Sequence, residues 1–332
     1  MRLAMIIPTY NGLPHLRTCL PSVMAAARCD DPDTEVIVVD DASTDGTVRW
    51  LKEAYPHVRI VARAENGGFA KAANDGLRAA RADWVALVNN DVVLDPDWVR
   101  SALSREIPPD VGSLATRILW QDRRETIASA GDEYATCGVA IPWLKGCPVS
   151  ADDRRAECFS ACAAAAFYRT AALAKCGLFR ESLGAYYEDV DLGFRLNLAG
   201  WRCLYVPEST SWHAGGGSYG RDAWNVAYRS ARNREIVFWG NMPSGLLLSA
   251  APAHLGAVLF QLLRGVVSGQ VIPRGAGTLA GCLRLGEILR IRRQVRRLRS
   301  LKPEALKDRL CKHWWRPLLG RHVAGIPGDR GP

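Results

Sequence analysis

EVIVVDDASTDGTVRWLKEAY, residues 35–55, decides how the chain is organised. Glu35–Val39 is a short β-branched run that reads as a strand. Asp40 and Asp41 follow at once. After them come Ala42-Ser43-Thr44-Asp45-Gly46, and Thr44–Tyr55 reads as a helix capped by Thr44 or Asp45. The same unit recurs on either side. LAMIIP (Leu3–Pro8) runs into Thr9-Tyr10-Asn11 and a helix over Pro14–Ala27. Val58–Ala62 precedes a helix over Gly68–Ala80, and WVALV (Trp84–Val88) stops at Asn89-Asn90-Asp91. Four β–α repeats with short connections predict an α/β fold, a mostly parallel central sheet flanked by helices. Ligands of such sheets bind beyond the carboxyl ends of the strands. Three of these four strands end in polar or acidic residues.

From about residue 111 the pattern is mixed. Val111–Leu119 and Thr126–Ser129 read as strands, a small-residue run covers Ser160–Ala166, and a helix over Thr170–Cys176 is closed by Gly177. Tyr186-Tyr187-Glu188-Asp189-Val190-Asp191 opens a helix that runs to Ala199. Arg202–Val206 is a strand, with Trp212-His213 just beyond it.

The composition shifts after Pro243. Gly245–Leu263 has only Ser249, His254 and Gln261 as clearly polar members, and Leu283–Leu301 is rich in arginine. Of the 332 residues, the last 92 carry 16 Lys+Arg against four acids, a net +12, while residues 1–240 are mildly acidic at −3. A core helix, a helix lying in the membrane interface and a bilayer span all fit the apolar stretch. The adjoining basic helix, with Leu285, Ile288, Leu289, Ile291, Val295 and Leu298 interleaved, favours an anionic membrane surface with its apolar side down. A nucleic-acid-binding arm would be expected beside a basic body or a reading motif, and neither is present.

The ten cysteines are scattered singly, with no CxxC and no partner pattern for Cys158 and Cys162, so they read as reduced, mostly buried thiols. The N-terminus lacks the apolar core and small-residue cleavage site of a signal peptide, which points to a cytoplasmic protein. GxGxxG after the first strand and GxxxxGK[ST] are missing, which disfavours dinucleotide dehydrogenases and P-loop NTPases. Strand-end carboxylates in this setting handle phosphorylated ligands through Mg²⁺ or Mn²⁺, because a cation reverses the repulsion between carboxylate and diphosphate. Asp91 suits a one-carboxylate metal contact. His213 is a candidate second ligand that would favour Mn²⁺. Glu188 or Asp189 is a candidate general base, with a helix cap as the alternative reading.

Five elements in order resemble the inverting family 2 glycosyltransferases of GT-A fold. They are Pro8-Thr9-Tyr10-Asn11-Gly12, Asp40-Asp41-x-Ser43-x-Asp45-Gly46, Glu65-Asn66-x-Gly68-Phe69-Ala70, Leu87-Val88-Asn89-Asn90-Asp91, and Tyr187-Glu188-Asp189-Val190-Asp191-Leu192-x2-Arg195 with Trp212-His213-x3-Gly217-Ser218 after it. The Glu65-Asn66-x-Gly68-Phe69-Ala70 element and Arg232-Asn233 look most like the rhamnosyltransferase-type branch. The resemblance implies a GT-A catalytic domain over 1–240, with a nucleotide-binding half (1–110) and an acceptor-binding half (111–240), followed by a membrane-associating helical extension over 241–332.

It further implies that Pro8, Thr9, Tyr10, Asn11, Asp40 and Asp41 hold the nucleoside of a dTDP- or UDP-sugar, with Asn66, Lys71 and Asn74 nearby. Asn89-Asn90-Asp91 stands where the family carries DxD, with only the last acid kept. Asp91 and His213 would bind the metal, Asp189 would be the base and Glu188 its support. QxxRW, the mark of processive polymer synthases, is absent, so transfer of one or a few sugars to a lipid-linked or growing cell-surface glycan is expected. No nucleic-acid partner is expected, and homo-oligomerisation is left open. The rival enzyme, a nucleotidyltransferase, would need a Gly-rich basic loop after the first strand, which Thr9-Tyr10-Asn11-Gly12 does not provide.

Overall fold

The computed structural model describes residues 2–28, 34–151, 154–215 and 222–311; Gly217 and Ser218 of the last motif lie outside them. The first half alternates β1 (Leu3–Thr9), α1 (Leu13–Arg28), β2 (Glu35–Asp40), α2 (Thr47–Ala54), β3 (Arg59–Ala62), α3 (Phe69–Ala79) and β4 (Trp84–Val88). Then come β5 (Val92–Leu94), α4 (Trp98–Leu103), β6 (Val111–Trp120), β7 (Ile127–Ser129), β8 (Asp132–Tyr134), β9 (Ala140–Pro142), β10 (Ala156–Cys158) and β11 (Ala165–Arg169). The chain continues through α5 (Thr170–Cys176), α6 (Glu188–Leu198), β12 (Arg202–His213), α7 (Ala223–Asn241), α8 (Ser244–Val267), α9 (Val271–Cys282), α10 (Leu285–Leu298) and α11 (Pro303–Arg309).

One sheet runs β10-β12-β6-β11-β4-β1-β2-β3, with β5 on β12 and β7 on β6. β3-β2-β1-β4 is parallel, while β11 joins β4 and β6 antiparallel. The order reverses at β1, between β2 and β4, so the carboxyl ends of β1 and β4 open a crevice at the switch point. Thr9 and Asn89-Asn90-Asp91 stand at those two ends. β1 and β4 are buried along their whole length, as expected for strands covered by helices on both faces.

Several expected boundaries move. α2 starts at Thr47, because Asp45 folds back to accept from the Thr47 N–H and hydroxyl and from the Leu13 N–H. The strand expected over Arg202–Val206 runs on to His213. A register shift between Val206 and Thr210 absorbs Pro207, which cannot donate to the ladder. His213 is therefore the last residue of a strand, not part of a loop beyond one. The nine described cysteines are all free thiols, as expected.

The C-terminal helices share a core with the body. Phe159, Val190 and Phe194 pack with Ile236, Phe238, Ile291, Val295, Leu306 and Leu310 in one buried cluster, so residue 240 marks no gap in packing. Contrary to the expected apolar-side-down posture, Ile288, Ile291 and Val295 of α10 bury against the body. Ile291 lies where a Cβ on Gly240 of α7 would approach it to 2.7 Å, so only glycine allows this contact. Arg292 caps the end of α7, donating to Trp239 O at 2.7 Å and Met242 O at 3.1 Å.

His254, in the middle of the apolar α8, is fully buried. Its Nε2 is 2.8 Å from Glu235 Oε2, its Nδ1 2.9 Å from Cys137 O, and its ring stacks on Phe238. α8 is long and apolar enough to cross a bilayer, with mean hydropathy 1.7. His254, Ala250, Ala257 and Gly265 tie one face of it to the protein, while Leu248, Leu255, Leu259 and Leu263 stand exposed on the other.

Candidate active site

The crevice at β1 and β4 deepens into a cavity of about 500 Å³, within the range of small-molecule and cofactor sites. Pro8, Thr9, Tyr10, Asn89 and Asn90 form its strand-end wall, and Asn90 Nδ2 donates to Thr9 Oγ1 at 2.8 Å. Asp91 and His213, from the ends of β4 and β12, face one another in it, with His213 Nε2 3.2 Å from Asp91 Oδ1. Burial opposes ionisation of Asp91. The hydrogen bond and charge of His213, with His15 beyond, outweigh it and hold the carboxyl below its ordinary value.

Across the cavity lie Glu188 and Asp189, the first two residues of α6. The turn leading into α6 is strained: Tyr186 and Tyr187 are both left-handed, at φ 69° and 68°. Asn233 of α7 holds it by donating from one amide nitrogen to Leu183 O, Ala185 O and Tyr186 O, and Arg232 adds a bond to Leu183 O. The Tyr187 hydroxyl accepts from the Ala140 N–H. These contacts aim the start of α6 into the cavity.

Asp189 accepts from its neighbour's Val190 N–H at 2.8 Å and from Ala163 N–H at 3.2 Å. Burial raises its pKa above the ordinary aspartate value, and those N–H groups oppose the rise. Two further carboxyls crowd it. Glu188 is pushed far up by burial and then by Asp189 and Asp132, and its Oε2 is buried without a partner among the described residues. Asp132, which also lines the cavity, is pushed far up by burial and then by Asp189. Like charges at such a site cannot all ionise, so the negative charge settles on the carboxylate with backbone donors. These surroundings favour ionisation at Asp189 over Glu188 and Asp132.

Asp191, two residues on, turns away. Side chains two apart on a helix point about 200° apart. Asp191 is therefore enclosed, 2.9 Å from Arg195 Nε, 3.3 Å from Arg180 Nε and 2.9 Å from Asn241 Nδ2.

Asn11, Asp40, Asn66, Lys71 and Asn74, expected in the donor site, do not line the cavity. Asn11 bridges to the next strand-end loop, donating its N–H to Ser43 Oγ and accepting from the Thr44 N–H. Asn74 is committed to Phe179 and Glu181, Asn66 leans on Asp41 O at 3.3 Å, and Lys71 sits beside Gly67. Asp40 Oδ2 accepts from the Ser43 N–H, while Oδ1 is buried and unpartnered among the described residues. Asp41 does line the cavity, yet its two oxygens accept from the Gly67 and Gly68 N–H groups at 2.9 and 2.7 Å and it pairs with Arg63. It shapes the loop before α3.

The sequence reading missed Asp132, Trp120 and Ser230, all in the cavity wall. Asp132 had one visible sign, the preceding Gly131. That glycine is left-handed at φ 91°, and a Cβ there would come within 2.8 Å of Cys158 Sγ and Ser160 O.

The mixed sheet, with its parallel 3-2-1-4 half and a cavity at the carboxyl ends of β1 and β4, is the architecture of a GT-A glycosyltransferase. The family model for glycosyl transferase family 2 matches residues 4–174. An N-acetylglucosaminyl-diphospho-decaprenol L-rhamnosyltransferase of Mycobacterium tuberculosis is 31% identical over 260 residues, covering 66% of this chain and 78% of that protein. The chain belongs to glycosyl transferase family 2. Among solved structures, S. aureus TarS 1–349 matches with a TM-score of 0.57 at 19% identity, covering 90% of this chain and 83% of that one. A mannosyltransferase from Pyrobaculum calidifontis, in complex with GDP-Man and Mn²⁺, matches with a TM-score of 0.50 at 20% identity, covering 90% and 84%. These likenesses bear out the expected fold.

Proposed function

We propose that this glycosyltransferase moves rhamnose or a hexose from a dTDP- or UDP-sugar to a hydroxyl of a lipid-linked cell-surface glycan, by a single inverting displacement. The observation that carries the reading is that the Asp91–His213 pair and the Asp189 base line one cavity. The acceptor hydroxyl gives its proton to Asp189 as its oxygen bonds to the anomeric carbon, and the bond to the diphosphate oxygen breaks with inversion. Glu188 and Asp132, kept protonated, are placed to donate hydrogen bonds to sugar hydroxyls.

Residues and metal fit one another. Among the described residues no three His, Cys, Asp or Glu side chains converge on a metal position. Two protein ligands with diphosphate oxygens and water filling the rest is a usual arrangement for Mg²⁺, and the imidazole tilts the choice toward Mn²⁺. Held by Asp91 and His213, such an ion would supply positive charge to the diphosphate leaving group.

The fitting donor, added with Mn²⁺, should raise the thermal unfolding midpoint over that of the free protein, because it binds the native state alone. In His213→Ala the Mn²⁺-dependent part of that shift should vanish. An equal shift with and without Mn²⁺ in the native protein would remove the metal from the proposal.

The exposed leucine face of α8, beside the basic α10, supports a peripheral position on the cytoplasmic face of the membrane. The pinned His254 argues for α8 lying along the surface and not across it. Leu255→Asp with Leu259→Asp should reduce flotation with phosphatidylglycerol vesicles about tenfold, since each loses apolar contact and adds a repelled charge. Unchanged flotation would end the membrane claim.

A further inference from the structure

A second cavity, of about 670 Å³, adjoins the first, and both are walled by Ala140, Tyr187 and Ser230. Its polar lining is one-sided: Lys145, Arg264 and Arg274 enter it, with Gln261 and Gln270, and no carboxylate does. None of the three cations has an ion-pair partner among the described residues. The amides are oriented by arginines. Gln261 Oε1 accepts from Arg234, and Gln270 Oε1 accepts from Arg274 at 3.2 Å, so both leave their NH₂ groups for a ligand. Arg274 Nε is buried with no acceptor among the described residues. Burial and then the like charges of Arg264 and Arg234, the latter itself paired with Glu235, depress the Arg274 pKa. Lys145 and Arg264 are exposed and Lys145 Nζ lies over the Trp120 ring, so it is the buried Arg274 Nε, with the one-sided lining around it, that suits this pocket to an anion.

Its two ends differ. At one end Tyr187 directly precedes the catalytic Glu188-Asp189. At the other, Leu263, Val266, Val267 and Ile272 are exposed around Arg264 and the α8–α9 turn, three of them beyond 60%. A ligand bridging these ends carries a sugar, then an anionic group, then a hydrocarbon. We propose that this pocket binds the diphosphate of a prenyl-diphosphate-linked acceptor. Its sugar reaches past Tyr187 to Asp189, and its lipid leaves over the exposed face of α8 and α9. The inference rests on the lipid-linked acceptor proposed above and adds where its charged group is read.

Geranyl diphosphate, a prenyl diphosphate without sugar, is the probe, titrated calorimetrically into the full-length protein in EDTA so that metal-assisted diphosphate binding is suppressed. The native protein should bind it. Arg264→Gln with Arg274→Gln should weaken binding about tenfold or more, as two charge-assisted contacts are lost, while Arg264→Lys with Arg274→Lys retains most of it. Inorganic pyrophosphate should bind more weakly than geranyl diphosphate.

Equal affinity of the native protein and the glutamine variant, at an unchanged unfolding midpoint, overturns the proposal. So does inorganic pyrophosphate binding as tightly as geranyl diphosphate, or a glutamine variant that loses only its flotation on phosphatidylglycerol vesicles. The two readings fail separately. Prenyl diphosphate binding without any nucleotide-sugar shift upholds the pocket and sinks the donor reading; a nucleotide-sugar shift without prenyl diphosphate binding does the reverse.

Discussion

Asp189→Asn lowers kcat by about 10²–10⁴-fold, the usual contribution of a positioned base, and leaves the donor-induced thermal shift nearly intact. The amide keeps the size of the side chain and one acceptor oxygen for the Val190 or Ala163 N–H, so α6 still starts in the same place. What it loses is the lone pair that takes the acceptor proton. Wild-type turnover in this variant would refute the assignment of the base.

The same carboxyl sets the acid limb of the pH profile. Burial raises its pKa, the two backbone N–H groups opposing, and the active form is the ionised one. kcat/KM therefore falls as pH drops through a value above that of an ordinary aspartate. A limb at the ordinary aspartate position would show that the reactive carboxyl is exposed to water.

Asp191→Ala acts on stability. Asp191 is fully buried between Arg195 and Arg180, whose side chains are 6% and 14% exposed, and Arg195 also donates to the carbonyls of Cys176, Gly177 and Leu178. Removing the carboxylate strands two enclosed guanidinium groups at once, which costs about 3–5 kcal/mol for a buried pair. The unfolding midpoint should fall by roughly 10 °C.

The pH dependence carries the same signature. Burial opposes the charge of Asp191, and Arg180 and Arg195 overcome it, so its folded pKa lies below the unfolded one. Its contribution is full above the unfolded pKa and is lost as pH falls through the folded one. The variant should show a flatter acid side to its stability curve. An unchanged midpoint would mean that the two arginines find other partners.

The contrast between Asp189 and Asp191 measures what was legible. Both stand in one six-residue motif, and the resemblance singled out the first. Which faces the cavity and which faces arginine is a matter of helical phase and of what packs there, and Arg180 comes from outside the motif. Asn74 makes the same point in the other direction. It lies in a glycine-opened helix start of the kind that approaches a donor, yet its amide is committed to Phe179 and Glu181, 105 and 107 residues away. Asp132 was invisible as a site residue, because its place beside Asp189 depends on β8 lying across from the start of α6. In the C-terminal helices, hydropathy alone left α8 open between core, interface and span. One buried histidine on Glu235 divides the helix into a docked face and an exposed one.

Local chemistry determined the alternating strands and helices, the polar residues at the strand ends, the acidic start of α6 and the basic tail. Each of these follows from side-chain periodicity and from backbone groups that must be capped within a few residues. The three-dimensional structure alone decided which carboxyls meet, in which direction burial shifts each, which strand-end residues face the cavity and where arginines without acid partners gather. Those outcomes depend on distance and burial between residues far apart in the chain, and electrostatic energy is set by both.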